Sequence, residues 1–370
     1  MAYNEECFNV TEEELSVLVY SSAETVFLSV VFPTLLLVGL VSNLAFIYVV
    51  IHVAYMRTIT NYYLVSLSVS DILFLLFTVG DKVSCYLMSP HAKVGSLYGR
   101  FGCAFFAFSF NMTYFASIGF VTLVSVERYS AVCRPTKVFS GKVTAKQRAR
   151  NYILINMVVS VLLALTFVPS SFTYLELCFY LPKGDNDMAL TAGMCHSVHQ
   201  SVSIYSYCVQ TWPFFAAFIF NVFLYARILR ELKIRERNIE RSDSALVDST
   251  KRRNQITIML IVNGILFFVL LAPFEIMSIF WMFVSILKPG QMNVSHELTT
   301  RFIGDTARSL SYLNSATNVL VYTALSPRYT KAFSDTYCSL CRGWNCPSRG
   351  SYQRASEEMN TNETRTTANL

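Results

Sequence analysis

The chain has 370 residues, of which 53% are hydrophobic and only 15% charged, with a net charge of +6. A mean hydropathy of +0.42 is too high for an ordinary soluble domain. The positive balance does not indicate a nucleic-acid site, because the Lys and Arg residues fall in loops that flank long uncharged runs, where they would meet anionic lipid.

The first 24 residues contain six Glu and no Lys or Arg, so they lack the basic start of a cleaved signal peptide. They read as an acidic outer tail (residues 1–24), with the first span as an uncleaved anchor. About 20 apolar residues cross the roughly 30 Å hydrocarbon core as a helix. Residues 25–56 form the first such run, and Arg57 follows. Residues 62–88 form the second, interrupted by Asp71, Asp81 and Lys82. The third, 101–126, begins near Cys103 and ends at Glu127, Arg128 and Tyr129. A basic loop leads to a fourth run at 151–175, and a fifth uncharged window covers 188–226. The mixed-charge "RERNIERSDSALVDSTKRR" extends the fifth and sixth helices as a basic surface. The sixth run, 254–287, is broken only by Glu275, and the seventh, 309–327, reaches membrane length with 302–307. Seven spans of 20–30 residues exclude a transmembrane β-barrel, whose strands need only about 10.

Lys and Arg concentrate in the loops after the first, third and fifth spans, which are the inner loops if the N-terminus is outside, as the positive-inside rule requires. Asn9-Val-Thr and Asn293-Val-Ser are then outer glycosylation sites, whereas Asn111-Met-Thr lies within a span and Asn362-Glu-Thr in the inner tail. Of ten cysteines, Cys7, Cys85, Cys103, Cys178 and Cys195 lie outside or nearly so, in an oxidising compartment. A bridge from Cys103 to Cys195 would pin the fourth-to-fifth loop over the bundle, with Cys178 as the competing partner; spacing alone does not fix the connectivity. Cys338, Cys341 and Cys346 follow the last span closely and invite palmitoylation. The polar segment 339–370 reads as a disordered tail with Ser and Thr for phosphorylation.

Ionisable groups at membrane depth are functional candidates. Asp71 shares its depth with Asn43, Ser117, Asn314, Ser315 and Asn318. Such a cluster suits a hard cation such as Na⁺, or equally a neutral, hydrogen-bonded acid. Arg128 can be held by Glu127 or by a polar group on a neighbouring inner helix end, and released as a switch; a snorkelling boundary pair is the simpler alternative. Glu275 and Arg308 in the outer half read as parts of a polar ligand cavity with Phe110, Asn111, Tyr114, Phe274 and Trp281, or as a salt bridge joining two helices.

Together these features resemble the rhodopsin-like (class A) G-protein-coupled receptors over about residues 25–338. "LVSN" with Asn43, "LSVSD" with Asp71, "ERY" 25 residues after Cys103, and "NSATNVLVY" with Asn318 and Tyr322 are similar to that family's motifs in order and spacing. "SPRYTKAFSDTYC" looks like its amphipathic eighth helix leading to palmitoylated Cys338 and Cys341. The resemblance implies an all-α membrane protein: a seven-helix bundle with a short eighth helix. It also implies a sodium site at Asp71, a Cys103–Cys195 disulfide, and a switch formed by Glu127, Arg128, Tyr129 and Tyr322. The implied partners are a heterotrimeric G protein, arrestin and the lipid bilayer, with no nucleic acid and no cofactor beyond that sodium ion. The sequence departs from the family in lacking Trp in the fourth span. Leu271 stands in the place of the sixth-span Trp, Val319 in that of the seventh-span Pro, and Asn221 in that of the fifth-span Tyr, with Tyr225 a turn later. Phe110 stands where amine receptors carry Asp, which disfavours an amine ligand.

"MRTITNYYLVSLSVSD", the long second outer loop and Arg308 look most like the peptide receptors near the thyrotropin-releasing-hormone and neuromedin U branch. In the former branch an Arg at the place of Arg308 contributes to the ligand pocket. Acids at Asp185, Asp187 and Glu297 would attract a basic or amidated peptide. The expected function is a peptide receptor and not an enzyme. A non-signalling decoy is the alternative. A secondary transporter would show internal repeats, and none is visible.

Overall fold

The computed structural model describes residues 7–11, 15, 18–134, 144–180, 189–239, 244–287 and 294–340. Eight helices follow one another in these residues: α1 (Ser22–His52), α2 (Ile59–Met88), α3 (Gly99–Cys133), α4 (Ala145–Leu165), α5 (Gln200–Ile239), α6 (Ser244–Leu287), α7 (Val294–Leu325) and α8 (Pro327–Leu340). The first six are long and apolar enough to cross a bilayer. The seventh is long enough but carries more polar residues, and it packs between α1 and α6 as part of the same bundle.

Local sequence sets the helix starts. Ser21 and Glu24 form a reciprocal capping box ahead of α1: Ser21 Oγ accepts from the Glu24 amide, and Glu24 Oε2 accepts from the Ser21 amide. Thr58 and Thr144 cap α2 and α4 through their hydroxyls. One turn of α1, Phe27–Val31, is wound as a π-helix. Helix α3 runs through the middle: its most apolar window is 56% buried, against 17% for α4, which faces outward. A close approach of α1 and α2 depends on Gly39, where an added Cβ would lie 2.2 Å from Leu75 Cδ1. Ser42 Oγ donates to the Ala316 carbonyl (3.1 Å) and fastens α1 to α7.

Two stretches are not helical as the apolar runs suggest. The fourth run, 151–175, ends its helix at Leu165, passes through the 3₁₀ turn Val168–Ser171 and enters strand β2 (Thr173–Tyr180). The fifth window begins as strand β3 (Ala189–His196), and α5 starts only at Gln200. Absence of charge marks burial or lipid contact but does not distinguish a strand from a helix when the run is short. The two strands pair antiparallel from Thr173↔His196 to Tyr180↔Ala189. A third, β1 (Phe8–Asn9), joins β2 in parallel, so a small sheet in the order β1-β2-β3 caps one end of the otherwise helical bundle.

This cap is knitted covalently and by charge. Cys103 is bonded to Cys195, which fixes β3 to the start of α3. Cys178, open in sequence as a rival partner for Cys103, is bonded instead to Cys7 and ties the acidic tail to β2. Val10, Leu18, Ala92, Phe179 and Ala192 form a small apolar core beneath it. Lys93 Nζ bonds Glu24 Oε1 at 2.8 Å and lies 5.9 Å from the centre of the Tyr20 ring. Burial lowers the Lys93 ammonium from its ordinary range against the opposing pull of Glu24, and burial also pushes the Tyr20 phenol up to about 12.

Asn9 is exposed on β1, as a glycan acceptor must be. Asn293, Asp185, Asp187, Cys341, Cys346 and the tail beyond lie outside the described residues. Cys338 is in the last turn of α8.

Candidate functional site

Three polar clusters are strung along the bundle axis from the capped end to the opposite, basic end. In the first, α3 contributes Phe110, Asn111 and Tyr114, and α6 contributes Phe274 and Glu275. The Phe110 ring stacks along Tyr114 at 6.0 Å and meets Phe274 edge-on at 5.9 Å. The Tyr114 hydroxyl donates to Glu275 Oε1 at 2.5 Å, and neither side chain is exposed by more than 3%. Gln210 and Thr211 of α5 face the same carboxyl group, and Gln210 Nε2 also donates to Ser278 Oγ at 2.8 Å. Glu275 Oε2, Thr211 Oγ1 beside it and Asn111 Oδ1 on α3 are buried, and none has a hydrogen-bond partner within bonding geometry. Buried polar atoms are ordinarily satisfied, so the orphaned Glu275 carboxyl oxygen marks a place where a ligand could supply a donor.

Arg308 stands apart from this group. Its Nη1 bonds Asp305 Oδ1 at 2.6 Å, one turn away on α7, and its side chain is 40% exposed. The Glu275–Arg308 salt bridge that the sequence allowed is not formed; the two charges have separate partners on separate helices. Near the capped end, Lys82 and Asp81 of α2 lie in the electrostatic neighbourhood of Arg308 and Asp305, giving a mixed-charge rim.

The second cluster surrounds Asp71, which is fully buried. Asn318 Nδ2 donates to Asp71 Oδ2 at 2.7 Å, and the Ser117 and Ser315 hydroxyls face the same carboxyl group. Asn43 Nδ2 donates to the Gly39 and Ser315 carbonyls at 2.9 Å each, which holds α1 to α7. Asp71 Oδ1 and Asn43 Oδ1 have no partner. Asn314 is buried on the adjoining turn of α7.

The third cluster is at the basic end. The Arg128 guanidinium donates to Thr60 Oγ1 at the start of α2, and its Nε is buried without a partner. Of the two kinds of partner the sequence left open, the structure uses the polar group on a neighbouring helix end and not Glu127. Beside it, Asn61 Nδ2 donates to the Met56 carbonyl and the Tyr329 hydroxyl donates to Asn61 Oδ1, both at 2.5 Å, so α8 is fastened to the start of α2. Tyr322 is fully buried with its ring 5.5 Å from Phe46 and 5.8 Å from Tyr329, and its hydroxyl is unpartnered. Tyr129 instead lies under the Arg134 guanidinium at 5.7 Å, away from the Arg128 contact. Val319 and Leu271, the two departures from the family motifs in α7 and α6, are simply buried apolar side chains.

The family profile described as "7 transmembrane receptor (rhodopsin family)" matches residues 42–322, which includes Glu275, Asp71 and Arg128 at the centres of the three clusters. The chain belongs to this family. Among curated proteins, the receptor is 30% identical to human neuromedin-U receptor 2 over 347 residues, covering 91% of this chain and 78% of that one. It is 28% identical to human neuromedin-U receptor 1 over 355 residues (91% and 79%). It is 25% identical to zebrafish galanin receptor 2a over 315 residues (85% and 78%). It is therefore a multi-pass membrane receptor of the G-protein-coupled class.

Several contributors to these sites have no signature of their own in the sequence. Thr60 is an ordinary helix-start threonine until Arg128 reaches it. Gln210, Thr211 and Ser278 lie inside uncharged runs, where a polar residue at helical spacing from Pro213 or Pro273 is the one available cue. Asn156 belongs to the same class: in the α4 that lacks the family Trp, its Nδ2 donates to the Ala116 carbonyl of α3 at 3.0 Å, and Gly119 leaves the room for it.

Proposed function

We propose that the receptor resides in the plasma membrane with its N-tail outside, binds a peptide in the capped end, and passes the signal to a heterotrimeric G protein through the Arg128 end. The observation that carries this reading is the likeness to neuromedin-U receptors over 91% of the chain. The ligand class follows from the names of those relatives, and two features of the capped end support it. Phe110 offers no carboxylate for a small amine at the α3 position. The cluster around Glu275, together with the rim at Arg308, offers both acceptors and donors to a chain with many polar groups. The orientation rests on the basic loops at the Arg128 end.

Agonist binding would shift an existing equilibrium toward a state in which Arg128 leaves Thr60 and meets the G protein. Asp71 Oδ1, orphaned on a carboxyl group that two serine hydroxyls face, fits a hard monovalent cation, which prefers oxygen ligands. Asp71, Ser117 and Ser315 would hold a sodium ion there, and its charge would compensate the buried carboxylate. Glycans at Asn9 and Asn293, palmitoylation at Cys338 and Cys341, and arrestin recruitment by the phosphorylated tail complete the proposal.

The test is a screen of amidated neuropeptides, neuromedin-U-type peptides among them, on cells expressing the full chain, with calcium, cAMP and arrestin readouts. An active peptide should lose potency with Arg308→Ala and lose G-protein signalling with Arg128→Ala. A peptide that binds at the cell surface without any G-protein response would identify a decoy and overturn the coupling.

A further inference from the structure

The inner half of α6 has no polar bond to α3 among the described residues, because Arg128 is turned toward α2. What lies between α3 and α6 is a side chain from a third helix. Tyr225 of α5 is 6% exposed, and its hydroxyl is 2.9 Å from Ser125 Oγ of α3. Ser125 also lies 3.0 Å from the Val121 carbonyl, one turn back along α3. The serine proton goes to that carbonyl, which leaves Ser125 as the acceptor and Tyr225 as the donor. On its other side the phenol ring lies flush on α6. A Cβ added to Gly264 would sit 1.8 Å from Tyr225 Oη, 2.7 Å from Cζ and 3.3 Å from Cε2. The notch therefore exists only because residue 264 is glycine.

A turn nearer the membrane centre, Asn221 Nδ2 donates to Thr122 Oγ1 at 3.0 Å and forms a second rung between α5 and α3. Toward the basic end, Tyr225 continues into an apolar group with Val132, Ile228, Leu232 and Ile261 from the same three helices. The tyrosine ring is thus packed against α6, and its hydrogen bond to Ser125 holds it there.

We infer that Tyr225, seated in the Gly264 notch and held by Ser125, is the positioning residue that keeps the inner half of α6 closed against α3 in the resting receptor. The inference deepens the proposed coupling reading and rests on it in one respect: closure matters because a G protein would need this end open. Loss of the tyrosine hydroxyl unties the ring from Ser125 and frees it to leave the Gly264 notch, so α6 loses the side chain it is seated on and the open-to-closed ratio rises. An alanine at position 264 has the same direction with a larger effect, since either the ring must leave Ser125 or α6 must move away.

The test uses the purified full chain in lipid nanodiscs with no agonist. Spin labels at Arg150→Cys on α4 and Arg253→Cys on α6 report the separation of the inner helix ends, with Cys133, Cys208, Cys338, Cys341 and Cys346 changed to Ser. Tyr225→Phe and Ser125→Ala should each raise the fraction at long distance about five-fold, the ratio that one neutral hydrogen bond supports. The double variant should match either single one, because both remove the same bond. Ser125→Thr, which keeps the acceptor, should behave as the parent. Gly264→Ala should open the end by about ten-fold or more; should it fail to reach the membrane, the hydroxyl variants carry the test. An unchanged distance distribution in Tyr225→Phe, or additive effects in the double variant, overturns the inference. Ligand-free nucleotide exchange on a panel of G proteins is measured in parallel. Opening without exchange on any of them refutes the coupling reading and leaves the role of Tyr225 standing.

Discussion

Tyr114→Phe removes one oxygen and leaves the ring, so it isolates the hydrogen bond between α3 and α6 in the capped half. The partner, Glu275, is wholly buried, and its second oxygen already lacks a donor. Leaving a buried acceptor unsatisfied costs about 1–3 kcal/mol, which corresponds to a fall in melting temperature of roughly 2–10 °C for a domain of this size class. The double variant Tyr114→Phe/Glu275→Leu removes both partners, and replacing a buried polar pair with apolar groups of similar shape is close to neutral. Thermal unfolding of the purified receptor, with the parent and three variants forming a cycle, should therefore show the double variant more stable than Tyr114→Phe alone. If Tyr114→Phe melts with the parent, or the two losses simply add, the 2.5 Å contact does not carry the energy assigned to it.

The cap and the α3–α4 contact give further expectations. Cys7→Ser should release β1 from β2, so that hydrogen exchange at Phe179 and Tyr180 accelerates while the Cys103–Cys195 link holds β3 in place; unchanged exchange would mean that strand pairing alone retains the tail. At Gly119 an added Cβ would meet Asn156 Oδ1 at 1.8 Å, so Gly119→Ala should lower surface expression. Adding Asn156→Ala in the same chain should restore expression, and failure to do so would place the damage elsewhere on α3. Asp71→Asn should abolish any dependence of agonist affinity on sodium concentration. Dependence that persists would favour the hydrogen-bonded acid that the cluster's chemistry equally allows.

The seven runs of apolar residues, the acidic tail and the basic loops were legible in the chain because lipid imposes a severe condition: every membrane-depth residue must be apolar or justified. For the same reason the intramembrane charges at Asp71, Arg128 and Glu275 stood out without any structure. Motif spacing then gave the family. What the sequence could not supply was the choice among equivalent partners. Cys178 and Cys195 are alike as cysteines, and only the strand register places one beside Cys7 and the other beside Cys103. Glu275 and Arg308 looked like a pair because both are ionisable and in the outer half, but each has a nearer partner once helix rotations are fixed. The strands β2 and β3 were hidden inside uncharged runs, since local composition does not separate a short buried strand from a helix end. Gly264, Tyr225 and Ser125 are unremarkable in isolation; the notch they form depends on three helices meeting at one depth, and contact distance is a property of the packed bundle alone.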